Sequence, residues 1–203
     1  VYKVQDYIEE CLLSVLRQLT SDIELIIIND GSTDESEVIV RRFNDERIQI
    51  FNQKNQGASV ARNLGIEKSQ GKLIAFLDAD DYYLPERFTS DVLLFLNNPD
   101  IDAVVNSVQI KLQKGEKQFI LNSFYIHNEL LGFLRSFSPI EINDYIAGFN
   151  LHLNGLTIRK SIFQEIGGFD VHLKQAEDRD FYLRLFSEAK VISADIKIAK
   201  AIY

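Results

Sequence analysis

Gly71-Lys72-Leu73-Ile74-Ala75-Phe76-Leu77-Asp78-Ala79-Asp80-Asp81 decides how this chain is read: an apolar run that stops abruptly in acidic residues. The five apolar residues Leu73 to Leu77, set between Gly71 and that charge, predict a strand buried on both faces, as central strands of parallel sheets are. In an extended chain, residues i and i+2 share a side, so Asp78 and Asp80 project together and Asp81 points elsewhere. Two carboxylates converging at a strand's carboxyl edge repel each other unless they face water or a cation lies between them. Such hard oxygen ligands suit Mg²⁺ or Mn²⁺. A solvated acidic turn is the plainer account, because Asp is common in turns.

Upstream, Ile23 to Ile28 is a second buried strand, and it stops at Asn29-Asp30-Gly31-Ser32-Thr33-Asp34. Gly31 permits a tight turn and Thr33 or Asp34 can cap a helix over Glu35 to Phe43, so Asp30 is another carboxylate at a strand-to-helix turn. Before it, Ile8, Cys11, Leu12, Val15, Leu16 and Leu19 follow the i, i+3, i+4, i+7 spacing of an amphipathic helix. Between the two strands lie a short strand, Ile48 to Phe51, and a helix near Gly57 whose strong polar groups are Arg62 and Asn63. Downstream, Pro85 suits the first turn of a helix carrying Phe88, Val92, Leu93, Phe95 and Leu96. A strand begins at Ala103-Val104-Val105, Lys114-Gly115-Glu116 reads as a hairpin turn, and Asn128 to Phe137 contains a short apolar helix. Asn154 to Ile158 reads as a strand, Lys160 to Ile166 as a helix stopped by Gly167-Gly168, and Glu177-Asp178 opens a last helix. The dipole at that helix start favours acidic residues, so capping is the structural account of Glu177 and Asp178.

Strand and helix alternating in this rhythm imply an α/β chain with an open, mostly parallel (mixed) sheet flanked by helices. Ligands bind such sheets in the crevice outside the carboxyl ends of the strands, which would bring Asp30 and the Asp78/Asp80 pair to one place. Composition narrows the partners. The 203 residues are 46% hydrophobic with a net charge of -8, enough apolar content for one core and the wrong sign for a nucleic-acid backbone. Cys11 is the single cysteine, which fits a reducing, cytoplasmic setting and a small core residue rather than a nucleophile. No run reaches the length of a membrane span. His127, His152 and His172 show no ligand spacing and read as structural or exposed.

In order and spacing, Asn29-Asp30-Gly31-Ser32-Thr33-Asp34, Asn55-Gln56-Gly57 with Ala61-Arg62-Asn63, Asp78-Ala79-Asp80-Asp81, Gly167-Gly168-Phe169-Asp170 and Glu177-Asp178 resemble a family 2 glycosyltransferase of GT-A fold. The resemblance covers essentially the whole chain as one domain, residues 1–203, with a Rossmann-like nucleotide-sugar-binding half over 1–110 and an acceptor-side half over 111–203. It implies an inverting transfer from a nucleotide-diphosphate sugar, a UDP-sugar first among candidates, to a hydroxyl of a glycan or lipid-linked acceptor, in surface polysaccharide or glycan synthesis. Lipid-linked acceptors would place it peripherally at the inner face of the membrane. By the match of motifs, Asp30 binds the base, Asp78 contacts the nucleoside side, Asp80 holds Mn²⁺ or Mg²⁺ on the diphosphate, and Asp178 is the general base. Arg62 would supply positive charge near the diphosphate, Glu177 stands beside the base, and Tyr2 belongs to the turn that shapes the base pocket. Related chains open with an apolar strand and a Pro-x-Tyr-Asn turn; here the chain opens at Val1-Tyr2-Lys3, so we expect the first strand to be missing. The chain lacks the Gln-x-x-Arg-Trp motif of processive members and has no Trp, so chain extension is not expected. A nucleotide-sugar-binding module without turnover and a sugar-phosphate nucleotidyltransferase are the alternatives. The second would normally carry a Gly-rich basic phosphate loop, which this sequence does not offer.

Overall fold

A computed structural model describes residues 1–18, 20, 22–114, 117–122 and 152–202. In chain order the elements are α1 (Ile8–Leu16), β1 (Leu25–Asn29), α2 (Ser36–Arg41), β2 (Ile48–Asn52), α3 (Ala58–Lys68), β3 (Leu73–Ala75), β4 (Tyr82–Tyr83), α4 (Arg87–Asn97), β5 (Ala103–Lys114), β6 (Lys117–Asn122), β7 (Leu156–Arg159), α5 (Ile162–Ile166), α6 (Glu177–Glu188) and β8 (Val191–Ile202). A 3₁₀ turn, Leu153–Gly155, leads into β7. The helix expected within Asn128 to Phe137 lies outside the described residues.

The sheet is divided. β1 and β2 pair in parallel, while a six-stranded sheet runs β3-β7-β5-β8-β4 with β6 on β5. In that larger sheet β5 and β8 are parallel, and β3–β7, β5–β7, β4–β8 and β5–β6 are antiparallel, so the sheet is mixed, as expected, with the parallel pair outnumbered. The β5–β6 register sets Lys114 opposite Lys117, as a hairpin requires. β1 also receives the chain start on its other edge. The Val1 amine donates to the Ile28 carbonyl at 2.8 Å and the Asp30 N–H donates to the Val1 carbonyl at 3.0 Å, the bonding of a parallel pair.

Layering follows from strand alternation. On β5, Ala103 and Val105 join one core with Leu156 and Ile158 of β7 and with Phe181, Leu185 and Phe186 of α6, whereas Val104 joins Phe95 of α4. The sheet is therefore covered by α5 and α6 on one side and α4 on the other, which is why the run at Ala103 is apolar without interruption. β1 is covered likewise: Ile27 packs against Ile8, Leu12 and Val40 of α1 and α2, and Ile28 faces Gly65 of α3.

Helix α4 departs from its apolar pattern. Its buried stripe is Arg87, Asp91 and Phe95, and Val92, Leu93 and Leu96 are exposed. The reason is on β7 and β5. Thr157 and Asn106 point at α4 and present polar groups, so this helix meets the sheet through an ion pair. Arg87 bonds Asp91 through Nη1 and donates from Nη2 to the Leu156 carbonyl at 3.0 Å. Asp91 also accepts from Thr157 and, at 3.0 Å, from Asn106 Nδ2.

Candidate active site

The acidic stretch is not a strand to its end. β3 stops at Ala75, and the chain closes a turn in which the Asp81 N–H donates to the Asp78 carbonyl at 3.0 Å. Two-residue alternation no longer applies there, and Asp81, which alternation set apart, comes to Asp78. Asp80 is exposed, while Asp78 and Asp81 converge with His152, each offering a ligand atom within 4.8 Å of the others. His152 arrives from the segment before β7 and corrects the reading of the histidines as bystanders. Phe76, just past β3, is held edge-on to Phe169 at 5.4 Å, and Cys11 of α1 lies under the turn with its Sγ 3.8 Å from the Asp78 carbonyl. Burial pushes the Cys11 thiol up to about 12, so it is an inert wall of the site, as its position in α1 suggested.

Arg62 joins the two halves of the chain. From α3 it donates to Asp78 Oδ1 at 2.9 Å and to Glu177 Oε1 at 2.8 Å, with its guanidinium 5.4 Å from the Phe169 ring centre. The neighbouring Asn63 clasps the Phe169 backbone, accepting its N–H and donating to its carbonyl, both at 2.8 Å. A Cβ on Gly168 would overlap the Asn63 carboxamide, so the Gly-Gly-Phe-Asp stretch needs glycine there. Phe169 in turn stacks on Phe181 of α6 with ring centres 4.6 Å apart. Asp178 sits in the first turn of α6 beside Glu177, half-exposed, and accepts the Arg179 N–H at 2.7 Å. The residue before this turn, Ala176, has φ 61° and supplies no side-chain cap, so the helix starts from a strained backbone position.

Asp30 is buried at the end of β1. It accepts from Gln53 Nε2 at 2.7 Å and from the backbone amides of Gln56 and Gly57 at 2.8 and 2.9 Å, so its carboxylate steadies the start of α3. Gly31 beside it has φ 72°, and a Cβ would come 2.9 Å from the Asn55 nitrogen. The opening segment lies over this loop, with Lys3 and Val4 amides bonded to Ser32 and Ser36 hydroxyls, and the Tyr2 ring is exposed under the Lys3 ammonium. Asp30, Asp78, Arg62 and Glu177 are thus linked through α3, Asp178 is one residue from Glu177, and Asp80 is exposed in the acidic turn. Sequence reasoning missed His152 and Asn154; the second donates from Nδ2 to Asp81 at 2.6 Å and accepts the Asp78 N–H at 2.9 Å.

Two carboxylates and an imidazole fit a divalent cation, with oxygen ligands suiting Mg²⁺ or Mn²⁺ and the nitrogen favouring Mn²⁺ of the two. Asp81 carries the electrostatic cost of the site. Its carboxyl is pushed up to about 6, chiefly by burial, with His152 and Asn154 opposing the rise and Asp80 and Asp78 adding to it. A carboxyl raised in the folded state holds its proton more tightly there than in the unfolded chain. Its contribution to stability is therefore present at low pH and lost as pH rises from about 4 to about 6. We expect the metal-free parent to lose thermal midpoint relative to Asp81→Asn across that window and to hold a constant difference above it. A difference independent of pH would show that Asp81 does not bear this cost.

The profile of Glycosyl transferase family 2 matches residues 1–167. An uncharacterized glycosyltransferase of Rickettsia prowazekii, RP339, is 28% identical over 194 residues, covering 94% of this chain and 58% of that protein. The uncharacterized glycosyltransferase EpsJ of Bacillus subtilis is 48% identical over 84 residues, 40% of this chain and 24% of that protein, so the chain spans only part of the length of such relatives. Among solved structures, S. aureus TarS in complex with UDP-GlcNAc superposes with TM-score 0.70 at 19% identity, over 100% of this chain and 56% of that one. The mannosyltransferase PcManGT of Pyrobaculum calidifontis, in complex with GDP-Man and Mn²⁺, gives 0.67 at 15%, over 100% and 54%. At these identities the superpositions speak for the fold, which is GT-A. Taken with the geometry above, the profile match places this chain in Glycosyl transferase family 2.

Proposed function

We propose that the chain is the donor-binding and catalytic domain of an inverting glycosyltransferase that moves a sugar from a nucleotide diphosphate, UDP first, to an acceptor hydroxyl in glycan or surface-polysaccharide synthesis. The observation that carries this reading is the Arg62 bridge, which sets the acidic turn and the first turn of α6 on either side of one guanidinium. Asp178 then stands on the acceptor side. It takes the proton of the acceptor hydroxyl as that oxygen forms its bond to the anomeric carbon, and the bond to the diphosphate breaks with the electron pair leaving on the diphosphate. A single displacement of this kind inverts the centre and needs no second carboxylate as nucleophile. Asp30 and Tyr2 line the nucleoside side, and Asp30 orders the Gln56–Gly57 amides next to it. Asp80, exposed in the acidic turn, would hold a divalent cation on the diphosphate, with Asp78, Asp81 and His152 converging in the same turn as further ligands, and the cation would supply countercharge to the departing diphosphate.

The reading is tested by thermal shift with UDP-, GDP- and dTDP-sugars, each with and without Mn²⁺, on the parent and Asp80→Ala. Ligands that bind only the folded state raise the midpoint by mass action. We expect a UDP-sugar to raise the parent midpoint more with Mn²⁺ than without, and Asp80→Ala to lose that increment. A parent indifferent to every nucleotide sugar would sink the transferase reading; an unchanged increment in Asp80→Ala would remove only the role of that residue.

A further inference from the structure

One side chain spans the acidic turn from its first residue to its last, and it comes from a distant part of the chain. Asn154 is 0% exposed. Its Oδ1 accepts the Asp78 N–H at 2.9 Å and its Nδ2 donates to Asp81 Oδ2 at 2.6 Å. The orientation of the amide follows from its partners, since a backbone N–H can only donate and the Asp81 carboxylate accepts. Asparagine offers an acceptor and donors on adjacent atoms, which an ionised Asp or an apolar residue of the same size does not. Asn154 is itself held from below. The Gly155 N–H donates to the His152 carbonyl at 2.8 Å, and the Gly155 carbonyl receives Asn106 Nδ2 at 3.2 Å. A Cβ on Gly155 would come 2.5 Å from the Asn106 carbonyl oxygen, so the 3₁₀ turn lies directly on β5. Asn106 also reaches Asp91 of α4, which ties the support of the acidic turn to the opposite face of the sheet.

We propose that Asn154 is a positioning residue for donor binding: it fixes the spacing and direction of the Asp78 and Asp81 carboxylates, so that nucleotide diphosphate and cation meet a turn already set. The proposal rests on the reading of that turn as the donor site. Asn154 acts through the two aspartates and has no surface of its own to offer a substrate. Its replacement should loosen the turn and weaken donor binding without touching the base on α6.

The test uses Asn154→Asp, which keeps the volume but turns a donor into a carboxylate facing Asp81, and Asn154→Ala, which removes both bonds. Amide hydrogen exchange of Asp78 and Asp81 is measured beside the affinity for UDP with Mn²⁺ by titration calorimetry, at a temperature where each protein is folded. In the parent, the Asp78 amide should exchange as slowly as those of β7; a fast-exchanging Asp78 amide there overturns the proposal even if neither variant folds. In the variants we expect exchange at Asp78 to quicken and UDP affinity to fall by about tenfold, the scale of one lost hydrogen bond, with exchange in β1 and β2 unchanged. Quickened exchange with parental UDP affinity would make Asn154 a structural residue and overturn the proposal. A parent that binds no UDP, GDP or dTDP would overturn the donor-site reading first, and the proposal with it.

Discussion

Asp178→Asn should cut the rate of sugar transfer by roughly 10² to 10⁴, the usual contribution of a positioned general base, while donor affinity stays near the parental value. The two substituents are the same size, and the bond the carboxylate accepts from the Arg179 N–H can be kept by the Asn carbonyl oxygen. Asp178 lies within the first turn of α6, so Asn gives up only the attraction of its charge to the helix dipole, about 0.3 to 1 kcal/mol of stability. What is lost is the capacity to accept a proton. Transfer rate and donor affinity are to be measured side by side on the same protein. Near-normal turnover would leave Asp178 as a first-turn acidic residue and move attention to Glu177, whose carboxylate is committed to Arg62.

The second large effect falls on stability. Asp91→Ala should cost about 3 to 5 kcal/mol, because it leaves the Arg87 guanidinium buried without its counter-charge. Arg87 and Asp91 have side chains 0% and 2% exposed, so solvent cannot stand in. The loss also orphans the Thr157 hydroxyl and takes one of its two acceptors from Asn106 Nδ2. Replacing both members of the pair, Arg87→Met with Asp91→Leu, should be much less damaging than Asp91→Ala alone, since an apolar pair of similar volume carries no desolvation cost. Urea unfolding of the three proteins decides it. If the double variant is as unstable as the single, packing of α4 rather than uncompensated charge is the cause.

This pair also shows where the sequence is hard to read. Helix periodicity placed Val92, Leu93 and Leu96 of α4 towards the core, yet the buried stripe runs through Arg87 and Asp91. Nothing local distinguishes a charged residue that will be matched across a sheet from one that faces water. Elements with strong apolar runs were legible: β1, β2, the start of β5, α1 and α6 lie close to where their patterns put them. β8 was not foreseen, because Ser193, Ala194, Asp195 and Lys197 dilute its apolar residues. Which strands of the larger sheet pair antiparallel was equally hidden, since pairing is decided between segments and not within them.

The site divides in the same way. Asp30 and Asp78 could be singled out because each follows an apolar run, where side chains converge on a crevice, whereas Arg62 and Glu177 stood out through the motifs that resemble family 2. Asp81 was set aside because strand alternation was carried into a turn. His152 and Asn154 reach the acidic turn only through the packing of β7 on β3, across more than seventy residues of sequence. An Asn-Gly pair before an apolar run gives no hint of that destination.

The Arg62 bridge sets one positive charge between two negative ones contributed by opposite halves of the chain. Such a shared counterion makes the two sides thermodynamically reciprocal. Whatever neutralises Asp78 frees Arg62 to favour Glu177, and whatever fixes Glu177 changes by the same factor the affinity of a cation at Asp78. Order in the first turn of α6 and charge in the acidic turn are then one equilibrium seen from two ends. On the proposed chemistry, arrival of the donor would itself steady the segment that carries Asp178 before an acceptor is engaged.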